Sequence, residues 1–271
     1  MRRSGQNGPV IAGVPLEGTP VPEALRLLLE GRGHRAVWRN ELGGLTFEVP
    51  GDFFVKWAPA GSGLQLEVEA HKLRWAEPYT PVPRVLGQGQ DEAGTWLQTA
   101  ALQGKSAVDE RWLADPVRAV QALGAGLRAL HDVLPVDDCP FDWSAGTRVA
   151  EAIRTRAAGR SPDQWAPEHR DLSLEDALGR VAEPPPTDRL VVCHGDACAL
   201  NTLIADDGRW SGHVDLGSLG VGDRWSDLAV ATWSTQWNYG DGYEDTLLAA
   251  YGIRADDDRI AYYRLLWDLG P

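Results

Sequence analysis

The chain has 271 residues, 43% of them hydrophobic and 12 of them Trp, enough to bury a sizeable core in one large domain or two smaller ones. Its 39 acidic against 26 basic residues give a formal net charge of −13, which excludes a backbone-neutralising nucleic-acid surface and suits a cationic partner, although an acidic balance also serves solubility alone. There is no apolar run of about eighteen residues, no signal sequence and no CxxC pair among Cys139, Cys193 and Cys198, so a cytoplasmic monomer with buried thiols and no membrane partner is expected.

Taken in order, residues 1–20 are rich in Gly and Pro and predict a loose arm. Residues 22–29 have helical composition, and 36–39, 45–49 and 53–57 read as three strands of a meander. Between the first two strands, Asn40-Glu41-Leu42-Gly43-Gly44 reads either as a glycine turn over phosphates or as an ordinary hairpin loop. Lys56 sits among aromatic residues in FFVKWAP. From 64 to 76, Leu66, Glu69, Leu73 and Ala76 fall on one helical face. Glu69 there needs a partner, and Lys56 is the natural one; the ion pair would hold the ammonium within reach of nucleotide phosphates. Extended runs at 84–86 and 95–102 complete a five-strand unit, with a domain boundary near residue 101.

Beyond the boundary the pattern turns helical. Residues 116–132 form a long amphipathic segment with Pro at its first turn, and His131 near its end reads as a hydrogen-bonded structural residue. Residues 145–183 alternate helical segments with carboxylates, either a solvated face or the lining of a site for a polycation. Short apolar runs then reach His194-Gly195-Asp196, Asn201 and Asp215, placing three oxygen donors near one end of a hairpin. Three helices, 225–237, 243–251 and 257–269, finish the chain.

An Asp, an Asn five residues on and an Asp fourteen further on meet the needs of metal-assisted phosphoryl transfer. Mg²⁺ takes oxygen ligands and fills its octahedron with phosphates and water, so Asn201 and Asp215 suffice as its protein pair. Asp196 is then left to orient an attacking hydroxyl and accept its proton.

These residues resemble the small-molecule branch of the protein-kinase-like fold, the aminoglycoside phosphotransferases. HGDxxxxN at 194–201 and Val214-Asp215-Leu216-Gly217 align residue by residue with the kinase-like catalytic loop and metal-binding element. The run from Gly217 to Ala229 follows the family's GRLGxxDRxxDLA with Ser218 in place of Arg, and the similarity spans most of 45–269.

The resemblance implies an α+β bilobal fold. Its N-lobe, 21–101, is a five-stranded antiparallel sheet with helices that binds nucleotide; its mostly helical C-lobe, 102–271, is catalytic and aminoglycoside-binding, with 145–183 as a variable substrate segment. It implies ATP and Mg²⁺ as cofactors, Lys56 as the phosphate-binding lysine with Glu69 as its helix partner, and Thr99 and Ala101 in a hinge whose backbone recognises adenine. Gly43-Gly44 stands where relatives have Ser-Gly near the phosphates. His194 and Asp227 would tie the catalytic loop in place.

The tail, with Trp267 and Asp268, and the Cys-Pro-Phe segment at 139–141 look more like streptomycin 3''-phosphotransferases than the 3' enzymes, whose chains end LDEFF. Both tail residues would meet a cationic aminoglycoside. The implied activity is transfer of the γ-phosphoryl group of ATP to the 3''-hydroxyl of streptomycin. The alternatives are a 3'-phosphotransferase acting on kanamycin and neomycin, a kinase of another small hydroxylated metabolite, or a nucleotide-binding pseudokinase.

Overall fold

Strands in the first part of the chain present alternate residues to opposite faces, and this fixes which side each serves. The structure, a computed structural model, describes residues 13–155 and 162–270. Most of the arm expected at 1–20, and residues 156–161 of the segment 145–183, lie outside the described residues. The chain divides into one unit of residues 1–78 with 82–102 and another of 79–81 with 103–271.

In the first unit a short 3₁₀ turn (Glu23–Leu25) runs into α1 (Arg26–Leu29). An antiparallel sheet follows, made of β1 (Arg35–Arg39), β2 (Leu45–Val49), β3 (Phe53–Pro59), β4 (Val85–Gln90) and β5 (Gly94–Ala100), in the order β1-β2-β3-β5-β4. Only β1 to β3 form the expected meander; β5 inserts between β3 and β4 and pairs with both. Phe47, Val49, Phe53 and Val55 turn inward and close on Leu25 and Leu29 as the core. Because Val55 faces that core, Lys56 projects from the other face of the sheet. There it meets α2 (Leu66–Ala76), which buries Leu66, Glu69, Ala70, Leu73 and Ala76. Gly13 exchanges both backbone hydrogen bonds with Arg39, so the described part of the expected arm is tied to β1 at that residue.

The second unit opens with β6 (Lys105–Ser106), α3 (Glu110–Leu113) and α4 (Pro116–Val133). Asp115 caps α4 through the Arg118 amide, and Pro occupies the first turn, where no amide partner is needed. Next come α5 (Ala145–Thr155), α6 (Leu174–Val181), β7 (Leu190–Cys193), β8 (Thr202–Ile204), β9 (Trp210–His213) and β10 (Gly220–Asp223). The chain ends in α7 (Trp225–Tyr239), α8 (Glu244–Tyr251) and α9 (Asp257–Asp268), close to the three helices read from the sequence.

β8 and β9 form the expected hairpin, extended by β6 into three strands. β7 does not join it but pairs antiparallel with β10. Glycines allow that pairing to be overlaid by another segment: a Cβ at Gly222 would stand 2.7 Å from the Trp143 carbonyl oxygen, and Val221 bonds to both Phe141 and Trp143. Among the described residues, no helix is long and apolar enough to cross a membrane.

Candidate active site

β7 delivers His194-Gly195-Asp196 into a loop held from three directions. Asp227, on the first turn of α7 and fully buried, accepts from the His194 amide at 2.6 Å and the Gly195 amide at 2.8 Å. The same carboxylate accepts from His131 Nε2 at 2.9 Å, and His131 Nδ1 lies 2.8 Å from the Tyr251 hydroxyl. His131 is therefore the structural residue expected of it. Burial alone would push the Asp227 carboxyl up; the His131 hydrogen bond, the electrostatics of the two neighbouring imidazoles and the Gly195 amide outweigh that and hold it below the ordinary carboxylate value.

His194 Nε2 donates to the Val214 carbonyl at 3.0 Å, while its Nδ1 accepts from the Asp196 amide at 3.3 Å. The ring thus locks the loop to the residue preceding Asp215. Gly195 has φ +85°, and a Cβ there would lie 2.2 Å from the Ser218 carbonyl oxygen, so the loop passes against the 3₁₀ turn Leu216–Ser218 with no room for a side chain. Gly195→Ala is expected to lower stability by about 2–3 kcal/mol, through backbone strain and this contact, as read from a urea midpoint. A midpoint equal to the parent's would contradict the close approach.

Asp196 and Asn201 come together, and Asp215 follows directly on Val214, which bonds to Asn201. The Asn201 Nδ2 donates to the Asp196 carbonyl at 2.9 Å and to Asp196 Oδ2 at 3.0 Å, which sets the amide so that its oxygen is the atom left to bind a cation. Val214 N donates to the Asn201 carbonyl at 2.9 Å and draws the two motifs together. Asp215 has φ +64°, the sole non-glycine positive φ among the described residues. Asp215 thus follows directly on the residue bonded to Asn201, and a carboxylate with an amide oxygen is the donor chemistry that suits Mg²⁺.

Sequence reasoning missed the second partner of Asp196. Cys198 Sγ donates to Asp196 Oδ1 at 3.0 Å, so both carboxylate oxygens are held. Burial, then the charge of Asp196 and its hydrogen bond, then Asp215, push the Cys198 thiol well up, keeping it a protonated donor. Also unread was Ser234 of α7, whose hydroxyl accepts from the Ala199 amide at 2.8 Å and from Asn238 Nδ2 at 3.2 Å.

In the first unit, Lys56 Nζ lies 2.7 Å from Glu69 Oε1, the pair expected from strand and helix. The glycine turn is corrected. The Gly43 amide donates to the Asn40 carbonyl at 3.1 Å and the Gly44 amide to Asn40 Oδ1 at 2.8 Å. Both donors thus close the hairpin and are not presented to phosphates. Thr99 lies within β5 opposite Phe54 and Val85, and the Ala101 amide lengthens the sheet by donating to the Asp52 carbonyl at 3.0 Å.

At the tail, Asp268 is buried rather than facing substrate. Its Oδ2 accepts from His169 Nδ1 at 2.6 Å and from the Ala166 amide at 3.0 Å, because α9 packs against the segment that follows residue 161. Trp267 is half-buried and lies 5.7 Å from Trp237 and 6.1 Å from Trp233, ring centre to ring centre.

A sequence model of the phosphotransferase enzyme family matches residues 24–263. The chain belongs to this phosphotransferase family. Among relatives of this phosphotransferase, an aminoglycoside 3'-phosphotransferase of Streptomyces fradiae is 37% identical, covering 77% of this chain and 81% of that one. A streptomycin 3''-kinase of Streptomyces griseus is 31% identical, covering 92% and 95%. In structure it is similar to aminoglycoside phosphotransferase APH(3'')-Id from Streptomyces rimosus, with a TM-score of 0.75 at 29% identity over 90% of this chain and 95% of that one. The latter protein has also been solved in complex with ADP and streptomycin. The family resemblance, the kinase-like α+β fold and the expectation of an enzyme are all borne out.

Proposed function

We propose that this phosphotransferase moves the γ-phosphoryl group of ATP onto the 3''-hydroxyl of streptomycin. The observation that carries the choice of acceptor is the reach of the likeness to the streptomycin 3''-kinase, 92% of this chain and 95% of that one. The higher identity to the S. fradiae 3'-phosphotransferase, 37% over a shorter stretch, favours a second reading, transfer to the 3'-hydroxyl of kanamycin or neomycin. The reading places the enzyme in the cytoplasm, where ATP is available, as a monomer.

Within this reading the second unit is catalytic. Asp196 orients the acceptor hydroxyl and takes its proton as the oxygen bonds to the γ-phosphorus and the bond to the departing ADP oxygen breaks. Asn201 and Cys198 fix the two oxygens of that carboxylate, which makes it a positioned group with no reorientation to undergo. Asn201 and Asp215 are the residues that would hold Mg²⁺, which would supply positive charge against the nucleotide phosphates. The first unit is nucleotide-binding: Lys56, steadied by Glu69, supplies a positive charge for those phosphates. Asp268 acts at one remove, holding residues 166–169 against α9.

Purified protein with ATP and Mg²⁺ is to be assayed on streptomycin, kanamycin and neomycin. Turnover of streptomycin with kcat/KM at least about tenfold above the other two is the expected result. Phosphorylation of kanamycin and neomycin with streptomycin untouched would replace the first reading by the second.

A further inference from the structure

Three tryptophans meet at the far end of α7 and the last turn of α9. Trp233 and Trp237 lie 5.2 Å apart, centre to centre, and Trp267 closes the triangle at 6.1 Å and 5.7 Å. Trp233 is buried, Trp267 is half-buried and Trp237 is 49% exposed, so the cluster grades from core to solvent across one small surface. An indole half in water offers a large aromatic surface whose face carries the negative side of the ring quadrupole.

The cluster shares α7 with a residue that anchors the catalytic loop in the same unit. Trp237 follows Ser234 by three positions on α7, which places the two on neighbouring spots of one helix face. Ser234 is the residue that anchors the Ala199 amide, three residues beyond Asp196. The other flank is the segment tied down by Asp268, whose His169 packs edge-on to Trp233 at 5.8 Å.

Charge at the cluster favours one kind of occupant. The guanidinium of Arg264 lies over the Trp233 ring at 5.3 Å, so this aromatic surface already receives a guanidinium on its inner side. Arg264 pairs with Glu244 at 2.9 Å and with Glu168 at 4.0 Å, two carboxylates against a single cation. Glu168 is exposed. Among the described residues, the guanidinium over Trp233 thus meets two carboxylates, one of them exposed.

We propose that Trp237, backed by Trp267, is a stacking surface for a guanidinium group of the phosphoryl acceptor, in a cluster that already holds the Arg264 guanidinium over Trp233. This rests on the reading of streptomycin as acceptor, since that molecule bears guanidinium groups and kanamycin bears only ammonium groups. A planar, weakly hydrated guanidinium stacks on an indole face more readily than a compact, strongly hydrated ammonium. Trp237 is then a specificity-determining residue, and Asp196 remains the group that handles the proton.

Steady-state kinetics of Trp237→Ala and Trp237→Phe on streptomycin test the assignment, with thermal melting as a check on folding. The expected result is a rise of about tenfold in KM for Trp237→Ala with kcat changed less than about twofold, and a rise of less than about threefold for Trp237→Phe, which keeps an aromatic face. An unaltered KM in Trp237→Ala, in a parent enzyme that turns over streptomycin, overturns the assignment alone. Equal losses in both variants accompanied by a lowered melting temperature also overturn it, since they mark a packing role. A parent enzyme inactive on streptomycin overturns the acceptor reading and this inference together.

Discussion

Asp196→Asn is expected to lower kcat for acceptor phosphorylation by about 10³-fold while leaving the Kd for Mg-ATP within about threefold of the parent. The substitution is nearly isosteric and half-buried, so the loop that carries it should stay folded. On the proposed mechanism it removes the acceptor for the hydroxyl proton. It also replaces a carboxylate that both Cys198 and Asn201 address as donors, at 3.0 Å each, with an amide able to satisfy only one of them as an acceptor. The group lost would thus be misaligned as well as inert. Nucleotide affinity is assigned to Lys56, Asn201 and Asp215, which remain. Single-turnover kinetics with equilibrium nucleotide titration separates the two effects, and a kcat within about tenfold of the parent would take the proton-accepting role away from Asp196.

Asp227→Ala is expected to be the most damaging substitution away from the reacting atoms, costing about 3–5 kcal/mol of stability. The carboxylate is fully buried and serves three donors, the His194 and Gly195 amides and His131 Nε2. Truncation leaves all three without their acceptor in a site closed to water, and the first two belong to the loop that presents Asp196. Loss of activity should therefore accompany loss of stability. The pH dependence has a definite sign. Since the folded Asp227 carboxyl titrates below its ordinary value of 3.8, its contribution is complete above that value and is lost as pH falls through the lower folded one. The gap in urea midpoint between parent and variant should be constant from neutral pH down to about 5 and narrow below about 4. A gap that widens toward acid would contradict a stabilised carboxylate.

Motifs whose chemistry is local were legible in the sequence. His194 to Asn201 and Val214 to Gly217 form a compact structure because a sharp glycine turn, a short hairpin and a return strand are encoded within a few residues of the groups they place. Lys56 and Glu69 were legible for a related reason: a strand of period two and a helix of period 3.6 each single out one charged residue on an otherwise apolar face. Pairing between distant strands was not. β10 carries Gly220, Gly222 and Asp223 with one Val, too little apolar character to register as a strand, and its partner β7 lies thirty residues earlier.

Where a backbone amide goes was also beyond reach of the sequence. Gly43 and Gly44 satisfy the composition of a phosphate loop, but Asn40 can take their donors, and the fold shows that it does, the Gly43 amide on its carbonyl and the Gly44 amide on its side chain. Asp268 failed for the opposite reason. A carboxylate near a chain end reads as exposed, whereas a histidine 99 residues away draws it inward. Cys198 stood two residues from Asp196 throughout, but a lone cysteine carries no signal that separates a buried thiol from a hydrogen-bond donor.

The most direct test of the account is to determine which oxygen receives the phosphoryl group. Streptomycin incubated with the enzyme, ATP and Mg²⁺ is to be isolated and the new phosphorus correlated with its sugar proton by two-dimensional NMR. The account predicts a single phosphate ester at the 3''-oxygen, formed in proportion to ADP and absent with Asp196→Asn. A phosphate at any other position, or ADP formed with no phosphorylated streptomycin, would contradict it.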